Sequence, residues 1–201
     1  MQRGMAMSAG PLLGAAPVWA LAAFLAVLAA QRVGELRVSA ANTKRLVARG
    51  AREYGSRHFP LIVLVHVLFP LCLVAEVVVL GARPGRVWTL WLVLWLAAQA
   101  LRYAAIRALG ERWSVRILVL PGEPLVRRGP YRFFRHPNYL AVIVELLAAP
   151  LMFGAWRAAV AISLLDLVAL GIRIRAEEVA LRGAGLVTPG ATVGRESASR
   201  R

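Results

Sequence analysis

Between Pro11 and Gln31 the chain carries no charged side chain, a stretch matching the roughly 20 residues a helix needs to cross a bilayer core. Phe59 to Leu80 is nearly as apolar, interrupted by His66 and Glu76, and Val87 to Ala105 forms a third run with Gln99 and Arg102 in its last turns. A fourth, Tyr139 to Ile172, is long enough for two short spans with a break near Gly154-Ala155-Trp156-Arg157. Hydrophobic residues make up 59% of the 201, above the roughly 45–50% of soluble domains. These runs predict an all-α polytopic membrane protein of about five transmembrane helices.

The formal net charge of +15 raises nucleic-acid binding, but its placement argues for a membrane instead. Arg37, Lys44, Arg45, Arg49, Arg52 and Arg57 separate the first two runs. Arg107, Arg112, Arg116, Arg127, Arg128, Arg132 and Arg135 separate the third and fourth. The C-terminal segment adds Arg173, Arg175, Arg182, Arg195, Arg200 and Arg201, whereas the alternate connections hold only Arg83, Arg86 and Arg157. Under the positive-inside rule this pattern puts the N-terminus outside and the C-terminus in the cytoplasm. Anionic lipid head groups are then the partners of these charges, not nucleic acid. Lys44 is the single lysine, a bias that fits a GC-rich bacterial genome, and the expected location is the bacterial inner (plasma) membrane. The first run is longer than a signal-peptide core and precedes a strongly basic segment, so a retained helix is expected.

Residues 1–10 are expected to fray, residues 11–181 to form one membrane domain, and residues 182–201 to be a disordered basic tail. Asn42-Thr43-Lys44-Arg45-Leu46-Val47 is placed to cap a short amphipathic helix at the membrane surface. Gly81-Ala82-Arg83-Pro84-Gly85 reads as a tight turn, and the β-branched segment Trp113 to Leu120 as a strand or hairpin. Cys72, the one cysteine, reads as packing inside the second span.

Chemistry concentrates in Leu125 to Leu140, which contains Gly129-Pro130-Tyr131 and Arg135-His136-Pro137-Asn138-Tyr139 just before a span. Arg173-Ile174-Arg175-Ala176-Glu177-Glu178 follows the last span. If residues 139–172 form a hairpin, a basic and aromatic cluster meets an acidic pair at one interfacial site. That combination suits a cationic cofactor with an anionic tail. Arg135, His136 and free amides at a helix start hold a carboxylate, Glu177 or Glu178 an ammonium or ribose, and aromatic faces a sulfonium. No zinc-type ligand spacing and no Rossmann glycine fingerprint occurs, so no metal is expected.

These residues resemble the isoprenylcysteine carboxyl methyltransferase family, through Gly129-x-Tyr131, Arg135-His136-Pro137-x-Tyr139 and Glu177-Glu178. Within it the chain looks most like the bacterial branch that O-methylates long-chain alkylpyrones and alkylresorcinols from type III polyketide synthases. The resemblance implies an S-adenosylmethionine-dependent transferase with a lipophilic acceptor entering between helices. It also implies that Tyr131, Arg135, His136, Pro137, Tyr139, Glu177 and Glu178 form the cofactor pocket. Ala141 stands where eukaryotic-type members have a small Gly, and their aromatic C-terminal continuation is absent. Both departures weigh against a prenylated cysteine carboxylate as substrate, which is the alternative acceptor. Arg135-His136-x-Asn138-Tyr139 also resembles NADPH-dependent sterol reductases, whose usual Gly-Asp is replaced here by Leu140-Ala141-Val142.

Glu145, about two turns into a span, has two readings: a general base beside Arg135, or a carboxyl hydrogen-bonded to a neighbouring helix. Asp166, His58 and His66 are the candidate substrate-side groups, with structural readings beside each; Glu76 reads as structural. Arg102 and Arg107 read as snorkelling side chains, and Trp88, Trp91 and Trp95 as an interfacial aromatic belt.

Overall fold

The computed structural model describes residues 18–186, which are helical apart from short turns and one two-stranded ribbon. The expected frayed segment 1–10 and the tail beyond residue 186 lie outside the described residues. Helix α1 (Val18–Ala48) leads to strand β1 (Arg52–Tyr54) and helix α2 (Phe59–Val74), which continues as a π-helical turn over Ala75–Val79. Helix α3 (Trp88–Leu109), strand β2 (Ile117–Val119), helix α4 (Pro137–Met152) and helix α5 (Trp156–Gly183) complete the order. Val18–Ala48, Ser56–Val79 and Trp88–Arg112 are each long and apolar enough to cross a membrane. Helix α4 has 16 residues, about 24 Å, while α5 has 28 residues and carries charges along its second half. The chain is an all-α multi-pass membrane protein.

The helices run alternately up and down, so the 49–58 and 110–136 connections and the end of α5 gather at one end of the bundle. The α4–α5 hairpin turns where the sequence predicts a break. Gly154 there has φ +75°, and a Cβ would stand 1.8 Å from the Arg83 carbonyl oxygen in the α2–α3 connection. No other residue fits that approach. Ala149, Ala155 and Ala159 are fully buried around the same hairpin, and such small side chains let membrane helices approach closely. The core continues through Leu28, Val65, Leu73, Leu146 and Ile162, with Cys72 packed against it. Trp95 does not join an interfacial belt. It is buried, with its ring edge-on to Phe24 at 5.3 Å.

Glu76 is buried and accepts hydrogen bonds from the backbone N–H groups of Arg157 (3.1 Å) and Ala158 (2.6 Å). A carboxylate from α2's π-helical continuation therefore caps α5, where unsatisfied amides and the helix dipole both favour negative charge. The structural reading of Glu76 is the one the fold uses.

At the opposite end, α1 does not stop for a separate surface helix. Residues 31–48 contain no proline and a single glycine, Gly34, so nothing breaks the helix and the chain runs on as one rod. Asn42, expected as a cap, instead donates to the carbonyls of Gly110 (3.1 Å) and Trp113 (2.9 Å). Ser39 Oγ accepts from the Val115 amide at 3.0 Å. The 113–120 segment does contain a strand, but its partner is remote: β2 pairs antiparallel with β1, Glu53 opposite Leu118. Arg116 closes the ribbon by donating to both Glu53 oxygens at 2.9 Å.

Replacing Glu76 by Ala leaves two helix-start amides without acceptors. Unfolding of the detergent-solubilised protein is expected to show a loss of about 1–3 kcal/mol, and an unchanged midpoint would refute the cap's role.

Candidate active site

A cavity of about 1100 Å³ runs from the ribbon end into the bundle. Its lining includes exposed Arg135 at one extreme and Asp166, 1% exposed, at the other. Cavities for one drug-sized ligand measure roughly 300–1,000 Å³, so this volume accommodates a cofactor together with an acceptor's head group.

The outer part is built on the start of α4 and the last turns of α5. His136 and Tyr139 stack with ring centres 5.2 Å apart and planes at 12°. The Tyr139 hydroxyl donates to Glu177 at 2.5 Å and accepts from Arg173 Nε at 2.9 Å. Arg173 also donates to the Val115 carbonyl at 2.7 Å, joining α5 to the loop before β2. His136 Nδ1 lies 3.9 Å from the same Glu177 oxygen. Tyr131 belongs to the short helical turn Gly129–Arg132. Burial, and then the Glu177 charge, push its phenol well above the ordinary tyrosine range. At neutral pH it is therefore an uncharged hydroxyl.

Gly129 sets that turn down against α3. It has φ +57°, and a Cβ would meet the Ala108 methyl at 3.2 Å. Arg128 Nε donates to the Ala108 carbonyl at 2.8 Å beside it. Asn138 lines the cavity with its buried Oδ1 lacking a protein donor, and exposed Arg135 has no ion pair among the described residues. The outer part thus offers acceptors and carboxylates for a cationic group, an unpaired guanidinium for an anionic one, and an aromatic stack.

Deeper in the bundle, Glu145 of α4 is held by Arg102 of α3 on one oxygen and Arg32 of α1 on the other. Arg32 also donates to Glu35 at 2.6 Å, and Arg102 lies 3.7 Å from the same Glu35 oxygen. Gln31 bridges Glu35 (2.9 Å) and Gln99 (2.7 Å). The buried Arg102 and the half-buried Arg32 face two buried anions, the pairing that charge inside a membrane demands. His66 Nδ1 lies 2.8 Å from the Ile62 carbonyl. Because a carbonyl only accepts, Nδ1 carries a proton, and in the neutral ring Nε2 is an acceptor.

The isoprenylcysteine carboxyl methyltransferase (ICMT) family model matches residues 91–183, the stretch that supplies α3, β2 and the outer cluster. Uncharacterized protein YpbQ of Bacillus subtilis (strain 168) is 40% identical over 158 residues, covering 79% of this chain and 94% of its own. An uncharacterized protein of Haemophilus influenzae (strain ATCC 51907 / DSM 11121 / KW20 / Rd) is 31% identical over 157 residues, covering 78% and 91%. No solved structure matches. The chain belongs to the isoprenylcysteine carboxyl methyltransferase family. Membership makes it a membrane protein of a methyltransferase family whose members in general use S-adenosylmethionine.

In this family member, Tyr131, Arg135, His136, Tyr139, Glu177 and Glu178 all line the cavity, as do His66 and Asp166. Three expected site residues do not. Pro137 is buried at the first position of α4, where its fixed φ starts the helix. His58 packs on Gly55 at the start of α2 and is not among the lining residues. Glu145 also lies off the cavity wall, and the two guanidiniums that hold its oxygens suit it to a structural role. Arg102 does not snorkel: it is 3% exposed and ion-paired. Sequence reasoning missed Arg32, Glu35 and Arg173. The signal for the first two was opposite charge at i and i+3 immediately after an uncharged span.

Replacing Arg102 by Met removes one partner of a buried pair. The expected cost is about 3–5 kcal/mol, read as a large loss of folded protein in detergent, with Glu145→Gln in the same background restoring part of it.

Proposed function

We propose that this protein is an S-adenosylmethionine-dependent O-methyltransferase of the bacterial plasma membrane, working at the cytoplasmic face on a lipophilic acceptor. The acceptor we favour is a long-chain polyketide phenol or pyrone, the product class of a type III polyketide synthase. The single observation carrying the reading is the cavity itself. It links a polar, aromatic cluster at the bundle's end to an interior between membrane-spanning helices that is lined by both charged and apolar side chains.

The residues present fit the cofactor. Glu177, Glu178 and Asn138 Oδ1 suit its ammonium and ribose hydroxyls, Arg135 its carboxylate, and the His136–Tyr139 stack its sulfonium and base. When bound, it supplies an electrophilic methyl group. The chain's contribution is then alignment, since in-line displacement gains most from holding the reacting atoms in register. Arg173 and Tyr139 lock Glu177 in place by a hydrogen-bond relay, so the cofactor end is preorganised. The Leu, Ile and Val side chains that also line the cavity accommodate an alkyl chain while its head group approaches the methyl. The basic connections gathered at the site end support the cytoplasmic placement.

Labelled methyl transfer from S-adenosylmethionine into lipid extract tests this reading, using membranes that contain the protein and a long-chain alkylresorcinol or alkylpyrone. His136→Ala and Glu177→Ala are each expected to weaken cofactor binding about tenfold or more, roughly 1.4 kcal/mol. Saturable NADPH binding with no cofactor-dependent transfer would overturn it.

A further inference from the structure

Asp166 sits midway along α5, 1% exposed, with neither carboxylate oxygen hydrogen-bonded in the protein, yet it lines the cavity. A carboxyl buried without partners is costly, and an ionisable group inside a membrane bundle calls for a functional explanation. The neighbouring cations do not supply a partner. Arg32 and Arg102 are committed to Glu35 and Glu145, which balance them charge for charge. His66, across the cavity on α2, spends its Nδ1 proton on Ile62 and keeps Nε2 as an acceptor. The inner end therefore presents acceptors from Asp166 and His66 beside Arg32 and Arg102, which also line it, with their charges balanced by Glu35 and Glu145 and with Arg102 Nε keeping an unpartnered N–H.

A neutral hydroxyl brings the donor that both Asp166 oxygens lack. We infer that Asp166 is the base that takes the proton from a neutral hydroxyl head group of the acceptor. The inference rests on the methyltransferase reading above and names its acceptor-side residue.

The step balances without a further reagent. The acceptor's O–H proton passes to the Asp166 carboxylate, and the freed oxygen pair forms a bond to the methyl carbon of the sulfonium donor. The carbon–sulfur bond breaks with its pair remaining on sulfur, which becomes neutral, and the Asp166 proton leaves to water through the cavity. Asp166 and Glu177 lie eleven residues apart on α5, about 16 Å along the axis, which leaves the transferring methyl room between them. Glu145 cannot take this part because both its oxygens are held and it is off the wall. His66 is a positioning residue, orienting the hydroxyl toward Asp166.

The test compares wild type with Asp166→Asn in lipid nanodiscs, using long-chain alkylphenols made progressively more acidic by ring fluorination. Asp166→Asn should keep its S-adenosylmethionine affinity and lose about 100-fold in transfer to the parent phenol. That loss should shrink as acceptor acidity rises, because a more acidic phenol needs less help. An equal loss across the phenol series would overturn the assignment while leaving the methyltransferase reading intact. No transfer by wild type to any phenol, with no cofactor binding, would overturn both. If Asp166→Asn does not accumulate, wild type alone decides. A shallow dependence of rate on acceptor acidity supports an enzymic base, and a steep one overturns it.

Discussion

The clamp on Glu145 is the interaction on which the rest of this bundle depends. A carboxylate about 12 Å along α4 from its first residue has lost its hydration, and only opposite charge can replace it there. Arg102 and Arg32 arrive from two other helices, so satisfying one ion fixes α1, α3 and α4 relative to one another. Glu35 and the Gln31–Gln99 bridge complete the network and bring its charges into balance. Apolar packing against lipid-like surroundings gives little orientational preference. The ionic cluster supplies that preference and forms one wall of the cavity through Arg32, Glu35 and Arg102.

The polar end of the molecule is assembled by a different logic. Its connections form little regular structure of their own, and each is tied to a helix by a side chain. Asn42 and Ser39 hold the 110–115 segment to α1, Arg128 holds the Gly129 turn to α3, and Arg173 holds Val115 to α5. Glu123 receives both Arg49 and Arg112, linking the ends of α1 and α3 to the turn before the family motif. These tethers place Tyr131 and His136 over the Tyr139–Glu177 pair, so motif segments nearly forty residues apart act as one surface.

Much of this was legible in the sequence, for reasons that differ by element. The spans announced themselves by the length of their apolar runs, and the hairpin by Gly154. The motif residues were legible because Arg, His, Tyr and a Glu pair bordering one span leave few chemical uses. Pairing across the bundle was not legible. Nothing local in Arg102 or Glu145 says that they meet, and a lone arginine near a helix end looks like a snorkelling one. The same limit misplaced Asn42, whose local context favours a cap while its actual acceptors lie on residues 110 and 113. It also hid the partner of β2, since strand pairing across sixty residues leaves no periodic trace. His58 and His66 look alike in sequence, and only the winding of α2 puts His66 on the cavity wall.

Helix α5 carries Asp166, Arg173 and Glu177 at three depths of the same cavity, and Glu76 grips its far tip. Because these groups share one rigid rod, a turn of a single residue step, about 100°, would swing all of them away together. The reaction machinery on this helix therefore behaves as a keyed shaft rather than as independent parts. Diversification of acceptor range in proteins built this way should accumulate on α2 and the tethered loops, where one contact can change without disturbing the others.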